Sequence, residues 1–170
     1  MDLKQHIRSV PDFPKPGILF YDITTLLRDP QGFRTTIDML SAPYRNQGID
    51  LVVGIESRGF ILGAAVAERL GAGFIPARKP GKLPAKALKE HFDLEYGRDA
   101  LELHEDAIET GQRVLIVDDV LATGGTAAAT VRLVRKSGAD LHGLAFLIEL
   151  LFLDGKQQIA GEKVFSVLQY

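Results

Sequence analysis

Apolar positions in this chain follow two rhythms that take turns. Short, mostly apolar runs at 49–55, 74–77, 113–117, 141–150 and 164–168 read as buried strands. Between them lie stretches in which apolar residues return every three or four positions. Phe33, Ile37, Leu40 and Tyr44 do so within 32–46, and 58–70 and 126–136 carry the same spacing. Pro43 is expected to kink or shorten the first helix, Gly71 to stop the second and Ser137-Gly138 to end the third. Strands alternating with helices predict an α/β fold. It would be a single Rossmann-like domain over residues 31–170, with a mostly parallel central sheet flanked by helices.

Two segments break the alternation. Residues 1–30 hold Pro11, Pro14, Pro16 and Pro30 and read as a short helix followed by loops, a small N-terminal hood laid on the main sheet. Residues 78–91 combine two prolines and a glycine with Arg78, Lys79, Lys82, Lys86 and Lys89, the pattern of a mobile cationic loop. Residues 93–103 then read as a hairpin or a pair of short strands.

Composition narrows the class. An apolar fraction of 46% and a charged fraction of 25% over 170 residues are those of one globular domain that buries its own core. Cysteine is absent, which excludes disulfides and thiolate metal sites and fits a cytoplasmic setting. The net charge of -2, spread along the chain, points away from nucleic acid as a partner. The first residues have no apolar targeting core, and the longest apolar stretch, 144–153, is interrupted by Glu149, so no membrane span is expected. His6, His91, His104 and His142 show no metal-ligand spacing and read as surface or structural residues. Asp154-Gly155 reads as an ordinary turn.

The chemistry concentrates in residues 114–126, VLIVDDVLATGGT. A buried aliphatic strand ends in two carboxylates, Asp118 and Asp119. A small turn follows, Ala122-Thr123-Gly124-Gly125, and Thr126 opens a helix. Such a turn presents backbone N–H groups and the positive end of the helix dipole to an anion, and the glycines let the backbone approach it closely. There is no lysine of the nucleoside-triphosphate loop, so the cradle suits a monophosphate. Carboxylates beside it accept hydroxyl protons. A sugar phosphate satisfies both halves. Glu56-Ser57-Arg58-Gly59 repeats the logic after the first strand, with a guanidinium added; the weaker alternative is a plain helix start capped by Ser57.

These residues resemble the substrate signature of the type I phosphoribosyltransferases. Over nearly its full length the chain is similar to the adenine-specific members of that family. Residues 11–14 and 17–20, 56–60, 78–84, 94–97 and 165–170 carry the likeness. It implies pentosyl transfer from 5-phosphoribosyl 1-diphosphate (PRPP) to adenine, giving AMP and diphosphate in purine salvage. The alternatives are a 6-oxopurine phosphoribosyltransferase and a PRPP-binding regulator without chemistry. The resemblance implies that Asp118, Asp119 and the turn from Ala122 to Thr126 hold the ribose phosphate. Glu56, Ser57, Arg58 and Gly59 would receive the diphosphate, next to a cis peptide. Arg78, Lys79 and Lys82 would reach a neighbouring subunit's diphosphate in a homodimer. Glu95 would handle the purine proton and Tyr96 would help close the flexible catalytic loop. The backbone of Leu19 and the ring of Phe20 would hold adenine, with Val120 or Leu121 opposite. Mg²⁺ would arrive mainly on PRPP, near Asp118 and Asp119. Tyr21 departs from the family pattern, which has a basic residue there. Ala122 stands where the 6-oxopurine enzymes carry an acid.

Overall fold

A computed structural model describes residues 1–94 and 96–170. Five parallel strands form the central sheet in the order β4-β3-β7-β8-β9: β3 (Leu51–Ile55), β4 (Gly73–Ala77), β7 (Arg113–Leu121), β8 (Asp140–Glu149) and β9 (Val164–Gln169). The inner strands are buried on both faces, which is why they read as continuous aliphatic runs with no alternation. Their side chains nevertheless alternate between two cores. Val52, Leu115 and Val117 face helices α2 (Pro30–Ser41) and α3 (Arg58–Leu70), where they meet Ile37, Leu40, Leu62 and Val66. Val53, Val114 and Ile116 face the opposite way, onto Ala129, Leu133 and Val134 of helix α4 (Gly125–Lys136).

Local sequence sets the helix ends. Asp29 caps α2 by accepting from the Gly32 N–H at 3.0 Å, with Pro30 in the first turn, where a missing N–H costs nothing. Pro43 lies in a 3₁₀ turn, Ala42–Tyr44, so it terminates the helix and does not kink it. Gly71 closes α3 in the left-handed conformation at φ 68°.

Two irregular segments turn out to be ordered. In the N-terminal segment, a 3₁₀ turn at Leu3–His6 leads into β1 (Arg8–Pro11), which pairs antiparallel with β2 (Leu19–Asp22); a short helix α1 (Thr24–Arg28) follows. Loops were expected here, because strands of four residues beside prolines give too short an alternation to see. Leu3, Ile7, Ile23 and Leu26 are buried with Ile37 and Leu40, so this segment shares the core on the α2 face. The cationic loop is shorter than expected, since its second half is β5 (Ala87–Asp93), paired antiparallel with β6 (Arg98–His104). Along β5, Leu88, Glu90 and Phe92 turn inward and Lys89 and His91 outward. The inward charge of Glu90 hid the strand's period of two. It is matched by Arg132 and Lys136 of α4, at 3.0 and 2.5 Å. Among the described residues, no helix is long and apolar enough to cross a membrane.

Candidate active site

The candidate residues gather at the C-terminal edge of the sheet, the edge at which open α/β sheets bind ligands. Strand β7 runs further than its aliphatic run suggested. Asp118, Val120 and Leu121 still pair with Phe146, Ile148 and Glu149 of β8, so the acid pair sits inside the strand. Beyond Leu121 the chain turns through Ala122, Thr123 and Gly124 into α4. Gly124 occupies the position before the helix at φ 90°, and no side chain caps it, which leaves the first-turn N–H groups to an anion. A cavity of about 190 Å³ opens onto this turn, lined by Val120, Thr123, Gly124 and Thr126 together with Phe92 and Leu94 of the hairpin side.

The turn is buttressed from behind. A Cβ on Gly124 would lie 2.4 Å from the Gly155 carbonyl oxygen, and a Cβ on Gly155 would lie 2.4 Å from that of Ala122. The 3₁₀ segment Gly155–Ile159 therefore presses on the turn, and glycine is required on both sides of the contact. Nothing in the sequence marked Gly155 as more than a turn residue, because its partner lies thirty positions away.

Asp118 and Asp119 are 8% and 6% exposed. Asp118 Oδ1 accepts from the Asp119 N–H at 2.8 Å, and Asp119 Oδ1 from the Val120 N–H at 2.9 Å. The Arg58 Nε donates to the remaining oxygen, Oδ2, of Asp119. Burial, and then the neighbouring Asp119 charge, push the Asp118 carboxyl well above the usual range. Burial works against the Arg58 charge, but Asp119, Asp118 and Asp22 outweigh it and raise its pKa. A Cβ on Gly59 would lie 2.7 Å from Asp118 Oδ1, so glycine there lets the start of α3 approach the acid pair. Ser57 makes no capping hydrogen bond, which removes the plain-cap reading of that residue. The peptide between Glu56 and Ser57 is cis.

Glu56 anchors the cationic loop. Its Oε1 accepts from Arg78 Nε at 3.1 Å and from the Lys79 N–H at 3.3 Å, and Lys82 Nζ donates to Oε2. Burial alone would raise its pKa, but Lys82, Lys79 and Arg78 hold it below the usual value. The Lys79 ammonium continues to Asp99 on β6. Sequence reasoning aimed these cations at a diphosphate; within one chain they rest on Glu56 and Asp99.

The β1–β2 ribbon forms the remaining wall. Its alternation turns Phe20 and Asp22 toward an open cleft of about 540 Å³ that Arg8, Phe13 and Arg58 also line. Phe13 meets Phe20 edge-on at 5.2 Å, and the Arg58 guanidinium stands 5.6 Å from the Phe20 ring centre. Leu19 is 47% exposed. The Thr24 hydroxyl, followed by Arg8, pulls the Asp22 carboxyl down to about 2. Arg8 and Asp22 were not singled out in the sequence; their signal was the cross-strand register that pairs them. Of the two residues expected opposite Phe20, Val120 is half-buried and Leu121 is sealed in the core at 1% exposure. Tyr96 is largely exposed, and the Lys15 ammonium lies 5.5 Å from its ring centre. Glu95 lies outside the described residues.

Comparison with known proteins agrees with this geometry. Residues 22–165 match the phosphoribosyl transferase domain family. The chain is similar to the adenine phosphoribosyltransferase of Solibacter usitatus, at 62% identity over 99% of this chain and 98% of that one. The crystal structure of adenine phosphoribosyltransferase from Rhodothermus marinus superposes with a TM-score of 0.94 at 57% identity, covering 99% of this chain and 96% of that one. The Saccharomyces cerevisiae adenine phosphoribosyltransferase, solved with an imino-altritol bisphosphate and adenine, superposes at 0.93 with 42% identity, covering 98% and 96%.

Proposed function

From the premise that the chain belongs to the phosphoribosyltransferase family, and within it to the adenine phosphoribosyltransferases, we propose how its residues carry out the reaction. The chain transfers the 5-phosphoribosyl group of PRPP to adenine, releasing diphosphate and giving AMP. One observation carries the assignment of its site: a buried acid pair immediately before an uncapped glycine turn that opens α4.

In this reading the 5-phosphate of PRPP accepts from the N–H groups of the turn from Ala122 to Thr126. The ribose hydroxyls donate to Asp118 and Asp119. Binding the sugar converts the Oδ2 contact of Asp119 with Arg58 into a shared one, and frees Arg58 to face the diphosphate beside Ser57 and Gly59. Adenine lies on Phe20, with Val120 opposite and the Leu19 backbone at the base edge. The purine nitrogen forms a bond to the ribose carbon as the carbon–oxygen bond to diphosphate breaks. Catalysis then consists of fixing these atoms within reach and offsetting the negative charge of the leaving group. Glu95 takes the proton that the purine nitrogen loses. Tyr96 and the β5–β6 hairpin close over the site and exclude water.

The acid pair also fits Mg²⁺. Its oxygens are the hard donors this ion selects, and a cation there would favour the ionised form of Asp118, whose pKa burial and then the Asp119 charge raise. Two carboxylates are too few for a full set, so substrate oxygens would supply most ligands. When bound, the ion would neutralise charge on the diphosphate. We place the enzyme in the cytoplasm, with residues 1–30 as a hood over the core of 31–170.

The decisive measurement is diphosphate release with adenine, hypoxanthine or guanine as acceptor. Adenine is expected to exceed hypoxanthine by at least about a hundredfold in kcat/KM, because a site built for an exocyclic amine leaves a group unpaired against a carbonyl. Comparable use of hypoxanthine would give the chain to the 6-oxopurine branch, and no release with any base would leave a PRPP-binding regulator.

We further propose a homodimer in which Arg78, Lys79 and Lys82 leave Glu56 and reach the partner's diphosphate. The half-exposed Lys82, beside the diphosphate segment on a proline-glycine loop, supports this. Mixing the impaired Lys82→Ala and Asp119→Asn proteins is expected to raise activity above the sum of the two through hybrid sites. If mixing restores nothing, the cations serve their own chain.

A further inference from the structure

Tyr21 and Tyr170 are not used by the reaction described above, yet they meet behind the base-binding wall. On β2 the residues alternate, so that Phe20 and Asp22 face the cleft while Tyr21 faces inward. There the Tyr21 ring packs on Tyr170, with centroids 4.1 Å apart and planes tilted by 34°. On Tyr170 also sits the Lys4 ammonium, 4.4 Å from the ring centre, and the same ammonium donates to the Gln169 carbonyl at 2.6 Å. Tyr170 itself is fixed to the sheet. Its N–H donates to the Glu149 carbonyl and its carbonyl accepts from Leu151, both at 3.0 Å.

The consequence follows from geometry. The β1–β2 ribbon is a sheet of two strands, too small to hold its own position. It must be located by what lies on its inner face, and directly behind Phe20's neighbour that is the Tyr170 ring. An inward-facing aromatic has no route to the base but a direct one to the sheet.

We propose that Tyr170 is a positioning residue for adenine: through Tyr21 it sets β2 in register with the sheet edge, and so fixes the Phe20 ring on which the purine lies. The inference rests on the assignment of Phe20 as the stacking residue. Its mark is selectivity between substrates. The phosphate turn and acid pair are built on β7 and α4, which the ribbon does not carry, so loosening the ribbon affects adenine and spares PRPP.

The test is steady-state kinetics with each substrate varied against saturating amounts of the other. Tyr170→Ala is expected to raise KM for adenine about five- to tenfold, the scale of one aromatic pair with its cation contact. KM for PRPP and kcat should stay within about twofold. Tyr170→Phe keeps the ring and should restore the parent KM. Tyr21→Ala, which reaches the same contact from the ribbon, should reproduce the effect, and the double variant should add little to either single change because the residues act as one contact. Should Tyr170→Ala fail to fold, Tyr21→Ala with Tyr21→Phe reads the same quantity. Equal increases in both KM values, or an unchanged adenine KM in the alanine variants, overturns the proposal. Phe20→Ala separates the two levels. If it raises the adenine KM while Tyr170→Ala and Tyr21→Ala do not, the latch alone is wrong. If Phe20→Ala leaves that KM unchanged, the stacking assignment fails and the latch with it.

Discussion

Asp119→Asn is expected to fold and to lose about tenfold to a hundredfold in kcat/KM for PRPP, the equivalent of one charge-assisted hydrogen bond at 1.5–3 kcal/mol. The substitution keeps the shape of the side chain and an oxygen for the Val120 N–H. It removes the charge that holds Arg58 and that would accept the ribose hydroxyls. It also removes one of the influences that raise the Asp118 carboxyl, leaving burial as the main one, so Asp118 should ionise at lower pH in the variant. Thermal unfolding alongside the kinetics separates the site from the core. Unchanged kcat/KM for PRPP in a folded Asp119→Asn protein would remove this residue from the sugar site.

Glu95→Gln is expected to have the largest effect on turnover, a loss of about 10²- to 10⁴-fold, the usual range for a general acid or base. In the 6-oxopurine enzymes an acid in the phosphate turn handles the purine proton. Here that place is Ala122, which can neither take nor give one. The turn is otherwise threonine and glycine, and Asp118 and Asp119 are committed to backbone N–H groups and Arg58 and, in the proposed site, to the sugar. A carboxylate on the closing loop is the remaining acid that the family likeness brings to the base. Glutamine preserves size and hydrogen bonding and removes only the basicity. PRPP affinity should therefore persist while kcat falls, measured by equilibrium binding and single-turnover rates. A fully active Glu95→Gln protein would assign the proton to water.

Much of the frame was legible before the structure. Helix α3 was bounded at both ends by sequence, because periodicity, a following left-handed glycine and a preceding strand agree with one another. The start of β7 was legible too, but its end was not, since the strand runs on through the acid pair to Leu121. The errors came from segments whose partners are distant. Residues 87–91 looked like cationic loop because Glu90 occupies an inward position, and its neutralising partners Arg132 and Lys136 sit more than forty residues away. The β1–β2 ribbon was invisible for a related reason: four-residue strands declare themselves only by pairing.

The site divides along the same line. Sequence alone determined the groups that act through a contiguous stretch. The acid pair, the glycine turn and the helix behind it form one chain segment, and backbone geometry alone brings their N–H groups and carboxylates together. Tertiary structure decided everything that depends on approach between segments. It brought Arg58 of α3 onto Asp119 of β7, made room through Gly59, backed the turn with Gly155 and turned Tyr21 away from the cleft onto Tyr170. It also separated Val120 from Leu121, two apolar neighbours identical in pattern, by burying Leu121 to 1% exposure and leaving Val120 half-buried. Local propensity encodes where a strand or a helix starts. Which of its two faces meets a ligand is set by what packs against the other.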